Sequence, residues 1–274
     1  MQQASPPEIF NRHRRRAMQV RARHRSQGRH FLWDILFDDV ADRLACTTRD
    51  FESCLIIGPL AYRAEALTAG KVGAVATLAI ADEDRLNLST EEYDLIITAG
   101  TLDSVNDLPG ALIQIRRSLR PDGLFLGAMF GAGTLASLKK TMLAADGEKT
   151  TAHIHPQIEL RSAADLLSRT GFALPVADKI GYDVRYSSWK TAVADLRDAG
   201  FGNCLAGHRR YLGRNYPQKL NMAWAQQASD EGKVTERFEF IHLSGWAPSP
   251  DQPLPAARGS GKVSLATTLR KTGL

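Results

Sequence analysis

The sequence predicts an α/β fold built on a mostly parallel sheet, and three observations carry that expectation. Short apolar runs recur at residues 54–58, 75–80, 93–98 and 123–130, each the length of a strand buried on both faces. Between them lie stretches whose apolar residues repeat every three or four positions, the period of a helix packed on one side. The chain has 274 residues, 43% hydrophobic and 24% charged, enough to bury a large core and outside the compositions of disordered or collagen-like chains.

The elements follow in order. Trp33, Leu36, Phe37, Val40 and Leu44 share one face of a helix opening at Phe31. The strand at 54–58, a helix-prone stretch at 61–69 and the strand at 75–80, which runs into Asp82, Glu83 and Asp84, make a βαβ unit. After the strand at 93–98, Asn106 and Asp107 supply capping side chains, and Pro109 sits in the first turn of a helix carrying Leu108, Leu112, Ile115 and Leu119. Pro121, Asp122 and Gly123 are expected to stop that helix before the strand at 123–130, and a further helix follows at 135–145. In the second half, 162–170 reads as helix, 172–186 as extended, and 189–199 and 209–228 as helices. Residues 237–246 read as a late strand, expected antiparallel at the sheet edge, and the chain after Pro248 as irregular. The division expected is a basic helical arm with N-terminal helices over 1–48, the α/β domain over 49–247 and a tail over 248–274.

The formal charge of +5 is unevenly placed. Residues 1–30 hold eight arginines and one acid, so the remainder is slightly acidic. Arginines from Arg12 to Arg29 with no aromatic residues interleaved suit an anionic protein or membrane surface better than bases to be stacked, so no dedicated nucleic-acid binding is expected. Cys46, Cys54 and Cys204 lie too far apart for a disulfide framework or a zinc signature, which fits a reducing compartment. The expected location is cytoplasmic, at the inner face of a membrane if the arm binds there. An Arg-rich start also resembles an organellar transit peptide, which keeps the mitochondrial matrix as the alternative.

Ligands of such a sheet sit beyond the carboxyl ends of its strands, so the turn after the first strand, Gly58-Pro59-Leu60-Ala61-Tyr62, is the candidate cofactor position. Only Gly58 lets backbone approach a ligand closely, while Leu60 and Tyr62 are bulky and Pro59 lacks an N–H.

Residues 105–109, 119–123 and 127–131 resemble class I S-adenosylmethionine-dependent methyltransferases, whose fold is Rossmann-like. The branch is the one containing the malonyl-carrier-protein methyltransferase of biotin synthesis and the assembly factor that hydroxylates an arginine in a respiratory complex I subunit. The likeness to the latter extends over residues 9–12, 153–156, Asn203 with Cys204, Arg209 with Arg210, and 257–260. The resemblance implies an S-adenosylmethionine site near Gly58 and Leu60. It implies further contacts at Asp82 and Glu83, which read either as the ribose acid or as the adenine-contacting stretch after a third strand. Asp103 stands where a His-Trp pair is common. The family's Asp-x-Gly-x-Gly-x-Gly falls on Ile56, Gly58, Leu60 and Tyr62, one match in four, and the spacing to Asp82 implies the loss of one βα unit.

His153, His155, Asn203, Arg209, Arg210 and Arg258 are carried over as substrate- or partner-facing residues. The two histidines bring no third ligand, so no metal is expected. The function implied is a degenerate, methyltransferase-like binding factor of the complex I assembly type, with a peripheral subunit as partner and an impaired S-adenosylmethionine site. The alternative is an active S-adenosylmethionine-dependent methyltransferase or arginine hydroxylase acting on a protein, and no catalytic residue is assigned.

Overall fold

The computed structural model describes residues 8–26, 30–78, 85–148, 150–207 and 211–252. Six strands form one sheet in the order β2-β1-β3-β4-β6-β5. β1 (Phe51–Ile57), β2 (Val72–Leu78), β3 (Tyr93–Ala99) and β4 (Leu119–Phe130) pair in parallel. β6 (Val234–Trp246) runs antiparallel to both β4 and β5 (Ala173–Tyr186). The fold is therefore the expected α/β class with a mostly parallel sheet. β2 ends it on one side, a single βα unit beyond β1.

The runs of β1, β3 and β4 make strands because both faces are covered, whereas β2, expected to be buried on both faces, lies at the sheet's edge and its residues are exposed or half-buried. Ile56, Leu95, Ile97, Phe238 and Phe240 point to one core, shared with α2 (Phe31–Ala45), α5 (Ala136–Asp146), α7 (Trp189–Asp198) and α8 (Tyr216–Ala225). Leu55, Ile57, Ile96, Phe125 and Ile241 point to the other, shared with α4 (Leu108–Ser118) and α6 (Leu160–Arg169). Helix α1 (Arg12–Ser26) packs on α7, and the short α3 (Ala64–Thr68) follows a 3₁₀ turn at Pro59–Arg63.

Several boundaries differ from the sequence reading. Residues 61–69 are only half α-helix, because the proline and the Gly58 geometry tighten the first turn. Pro121, Asp122 and Gly123 do not separate a helix from a strand. α4 ends at Ser118, and the triplet lies inside β4, where Asp122 adopts φ 62°. Arg49 holds the Asp122 carboxylate at 2.8 Å, and Gln252 donates to its Oδ1 at 2.8 Å. Helix α8 covers 216–225 of the expected 209–228; Arg209 and Arg210 lie outside the described residues.

The largest correction concerns β6, which is antiparallel as expected but interior, with β5 outside it as the edge. Its charged residues have dedicated partners. Buried Glu236 accepts from the Ser137 and Leu138 N–H groups at 3.2 and 2.7 Å, which caps the start of α5 from a distant strand. Glu239 meets Lys179 at 3.0 Å and the Gly133 N–H at 3.2 Å. Buried His242 lies 3.2 Å from Asp39.

Candidate functional site

The carboxyl end of β1 is filled from within the protein. Gly58 has φ 104°, and a Cβ there would stand 2.1 Å from Thr101 Oγ1. What the glycine admits is a threonine side chain. The Thr101 hydroxyl lies 3.2 and 3.3 Å from the Ile57 and Ala99 carbonyl oxygens, linking the ends of β1 and β3. Leu60 is fully buried in the adjoining core. At the end of β3, a Cβ on Gly100 would stand 2.3 Å from the Trp33 ring. Trp33 contacts Phe201 with ring centroids 4.8 Å apart, and Phe201 contacts Phe130 at 4.3 Å, so aromatic rings line the carboxyl ends of β3 and β4.

The open space lies beyond this row. A cavity of about 1090 Å³ has Asp103, Phe130 and Leu135 at its floor and the segment 151–157 along one side. α1 contributes Arg14, Met18, Arg21 and Arg25 to its wall, and α7 contributes Val193, Leu196 and Arg197. A smaller cavity of about 220 Å³ shares Asp103 and Phe130. Gly58 and Leu60 line neither.

The N-terminal segment reaches this position through specific bonds. The Ile9 and Phe10 N–H groups donate to Asn106 Oδ1 at 2.9 and 2.8 Å, and Asn106 Nδ2 donates back to the Phe10 carbonyl at 3.0 Å. The Asn11 N–H donates to the Cys204 carbonyl at 2.7 Å, and the Ala206 N–H to the Ile9 carbonyl at 2.8 Å. Arg14 donates to the Leu205 carbonyl at 2.6 Å, and buried Arg15 to the Ser104 carbonyl at 2.7 Å.

Asp103 is the unusual group in the cavity. Its Oδ1 accepts the Phe130 N–H at 2.5 Å, while Oδ2 is buried with no hydrogen-bond partner among the described residues. Burial raises its pKa from 3.8 to about 6, and the backbone bonds only partly oppose that.

His153 is held by Asp146 at 2.9 Å and lies 3.2 Å from the Tyr216 hydroxyl, which donates to Asp146 at 3.0 Å. Burial pushes the Asp146 carboxyl up, but His153, the Thr151 N–H and Tyr216 together hold it below its ordinary value. His155 has its pKa lowered to about 4 by burial, so the ring is neutral and its Nε2 accepts the Cys204 N–H at 2.9 Å. Asn203 donates to the Ala152 and His153 carbonyls at 3.1 and 2.8 Å, joining the two loops that frame the cavity.

The structure thus brings Asp103, His153, His155 and Asn203 around one cavity and leaves Gly58 and Leu60 in the packed region beside it. Asp82, Glu83, Arg209, Arg210 and Arg258 lie outside the described residues. Sequence reasoning missed Asp146 and Tyr216, which share no spacing signal with His153. It also missed the cavity-facing stripe of α1, although Arg14, Met18, Arg21 and Arg25 have helical spacing. Among the described residues no group of three or more His, Cys, Asp or Glu could hold a metal, and no helix is long and apolar enough to cross a membrane.

Residues 16–175 match the family described as "Methyltransferase domain". The protein named arginine-hydroxylase NDUFAF5, mitochondrial, is 32% identical in Danio rerio over 70% of this chain and 61% of that protein. The protein of the same name in Rattus norvegicus is 31% identical over 84% of this chain and 74% of that protein. The malonyl-[acyl-carrier protein] O-methyltransferase of Laribacter hongkongensis is 30% identical over 63% of this chain and 57% of that protein. The chain thus spans less than two thirds of the first and third of these relatives.

Proposed function

The chain belongs to the methyltransferase domain family, and from that premise we propose that it is a binding factor of the complex I assembly type, holding a protein partner in the cleft over β3 and β4. In this reading it has lost the S-adenosylmethionine site of the β1 turn. One observation carries the proposal. The single glycine retained at that turn gives its free space to Thr101, with a would-be Cβ only 2.1 Å from the hydroxyl oxygen.

Leu60 and Trp33 support the same reading, since a sulfonium nucleoside placed there would have to displace a fully buried leucine and an indole ring that is 5% exposed. The residues at the turn therefore do not fit that group, and no chemical step is derived through it. A partner-holding side is supported by His153, His155 and Asn203, which hydrogen bonds fix around the cavity. A peripheral subunit of complex I is the proposed partner. The compartment follows that subunit, at the cytoplasmic face of a membrane or in the mitochondrial matrix.

The test is thermal melting with S-adenosylmethionine and its demethylated product. A ligand at a hundred times its dissociation constant adds about 2.7 kcal/mol, a rise of several degrees for a domain of this size. No shift at millimolar nucleoside is expected. A rise of several degrees would overturn the loss of the cofactor site.

A further inference from the structure

We propose that the cleft between α1 and α7 takes an acidic segment of a partner protein, its carboxylates facing Arg21, Arg25 and Arg197 and its apolar side chains on the floor of Phe130 and Phe201. The inference deepens the partner-holding reading above and rests on it.

The first support is the way α1 is turned. Arg14, Met18, Arg21 and Arg25 recur at i, i+4, i+7 and i+11 and line the cavity, while Arg15 and Ala22 form the buried stripe beside them. A helix that only keeps a protein soluble would turn its cations to bulk water, but here they face a concavity. Arg197 answers from α7. Some of these cations are committed: Arg14 bonds the Leu205 and Gly207 carbonyls, and Arg25 lies 3.5 Å from Asp198. Arg21 donates to the Ala17 carbonyl of its own helix. Neither Arg21 nor Arg197 has a carboxylate partner among the described residues. Asp103 is the one acid in the lining. Such a rim attracts anions.

The second support is the shape of the surface beneath the rim. Phe130, Leu138, Leu196 and Phe201 give the cavity an apolar lining, so the complementary occupant carries negative charge along one side and apolar groups along the other. The cations are spread over the twelve residues from Arg14 to Arg25, about 16 Å of helix. A single lipid anion would concentrate its charge at one end of the cleft. The buried Oδ2 of Asp103, without a partner, also favours a peptide, which brings backbone N–H donors where an acyl chain brings none. Nucleic acid would need aromatic faces interleaved with the cations for stacking, and α1 carries no Phe, Tyr or Trp. The chain's own residues 253–274 are excluded as occupant by like charge, since they contain Arg258, Lys262, Arg270 and Lys271 and no acid.

Fluorescence anisotropy with the full chain tests this, using a labelled peptide of about fourteen residues alternating Glu with Leu and a Gln-for-Glu version. Vesicles of phosphatidylglycerol and a single-stranded oligonucleotide form the lipid and nucleic-acid arms. The Glu peptide is expected to bind and to weaken as salt rises, with the Gln peptide about tenfold weaker or worse. Arg21→Glu with Arg197→Glu should weaken the Glu peptide about tenfold with melting unchanged. Arg23→Glu with Lys219→Glu makes the same change in net charge away from the cleft and should weaken it less than about twofold.

Equal losses in the two double variants, no preference for Glu over Gln, or stronger binding of vesicles or oligonucleotide would each overturn the inference. If Arg21→Glu with Arg197→Glu melts early, Arg21→Gln with Arg197→Gln replaces it, with the same loss required. The nucleoside melting experiment separates the two claims. A shift there removes the lost-cofactor reading and leaves the peptide result standing, while an unbound peptide with no nucleoside shift removes only this inference.

Discussion

Replacing Asp103 by Asn tests the electrostatics of the cavity floor directly. Its carboxyl goes from 3.8 to about 6 on folding because burial disfavours the ion. At 1.36 kcal/mol for each tenfold change in proton affinity, the ionised side chain costs the folded state roughly 3 kcal/mol at neutral pH. The sign follows from the protons bound. Between about pH 4 and pH 6 the folded state holds the proton more tightly than the unfolded chain, so this residue lowers stability as pH rises through that window. Above it the cost is complete, and below it the cost is absent.

Asparagine cannot ionise, and its Oδ1 can still accept the Phe130 N–H. Its new Nδ2 donors take the buried, unpaired place of Oδ2, which costs less than the buried charge, so a net gain of about 1–2 kcal/mol is expected at pH 8, shrinking toward zero near pH 4. Urea unfolding of both proteins at several values between pH 4 and pH 8 measures the difference. A gap that does not change with pH, or a less stable variant at pH 8, would refute the argument, because it would mean that Oδ2 is solvated or paired in the folded protein.

Gly58→Ala should destabilise by at least about 2 kcal/mol, combining a backbone angle that side chains rarely adopt with a Cβ inside contact distance of Thr101. Adding Thr101→Ala should recover only the contact part, as read by equilibrium unfolding. Glu236→Ala leaves the Ser137 and Leu138 N–H groups unpaired at a buried helix start and should cost about 1–3 kcal/mol, with faster amide exchange across the first turn of α5. Glu236→Gln should cost less, since one acceptor remains.

Local chemistry made much of this fold legible. Asp107 accepts the Gly110 N–H at 2.8 Å at the start of α4, as a capping residue two before a proline should, and the double-sided apolar runs became β1, β3 and β4. What escaped was set by distant partners. The alternation of residues 237–246 suggested an edge strand, and nothing near them in sequence reveals that Glu236 caps α5 or that Glu239 meets Lys179. Pro121 and Gly123 looked like a stop signal, yet Arg49 and Gln252 hold Asp122 at positive φ within a strand.

The candidate site divided in the same way. Gly58 was recognisable as a residue needing close approach, but the approaching atom belongs to Thr101, which only the fold reveals. His153, His155 and Asn203 were marked through resemblance and do surround the cavity. The basic run was visible as charge, whereas the direction it faces depends on the docking of α1 through Asn106.

That docking has a kinetic consequence. Residues 9–11 are bonded both to Asn106 after β3 and to the strip around Cys204 after α7, so one short stretch of backbone latches two parts of the chain that lie nearly a hundred positions apart. Releasing it removes the backbone bonds that α1's leading residues share with the 203–206 loop, while Asn203 and Cys204 stay bonded to the 152–155 segment. Amide exchange at Phe10, Asn11 and Ala206 is therefore expected to rise together when that latch is broken by Asn106→Ala.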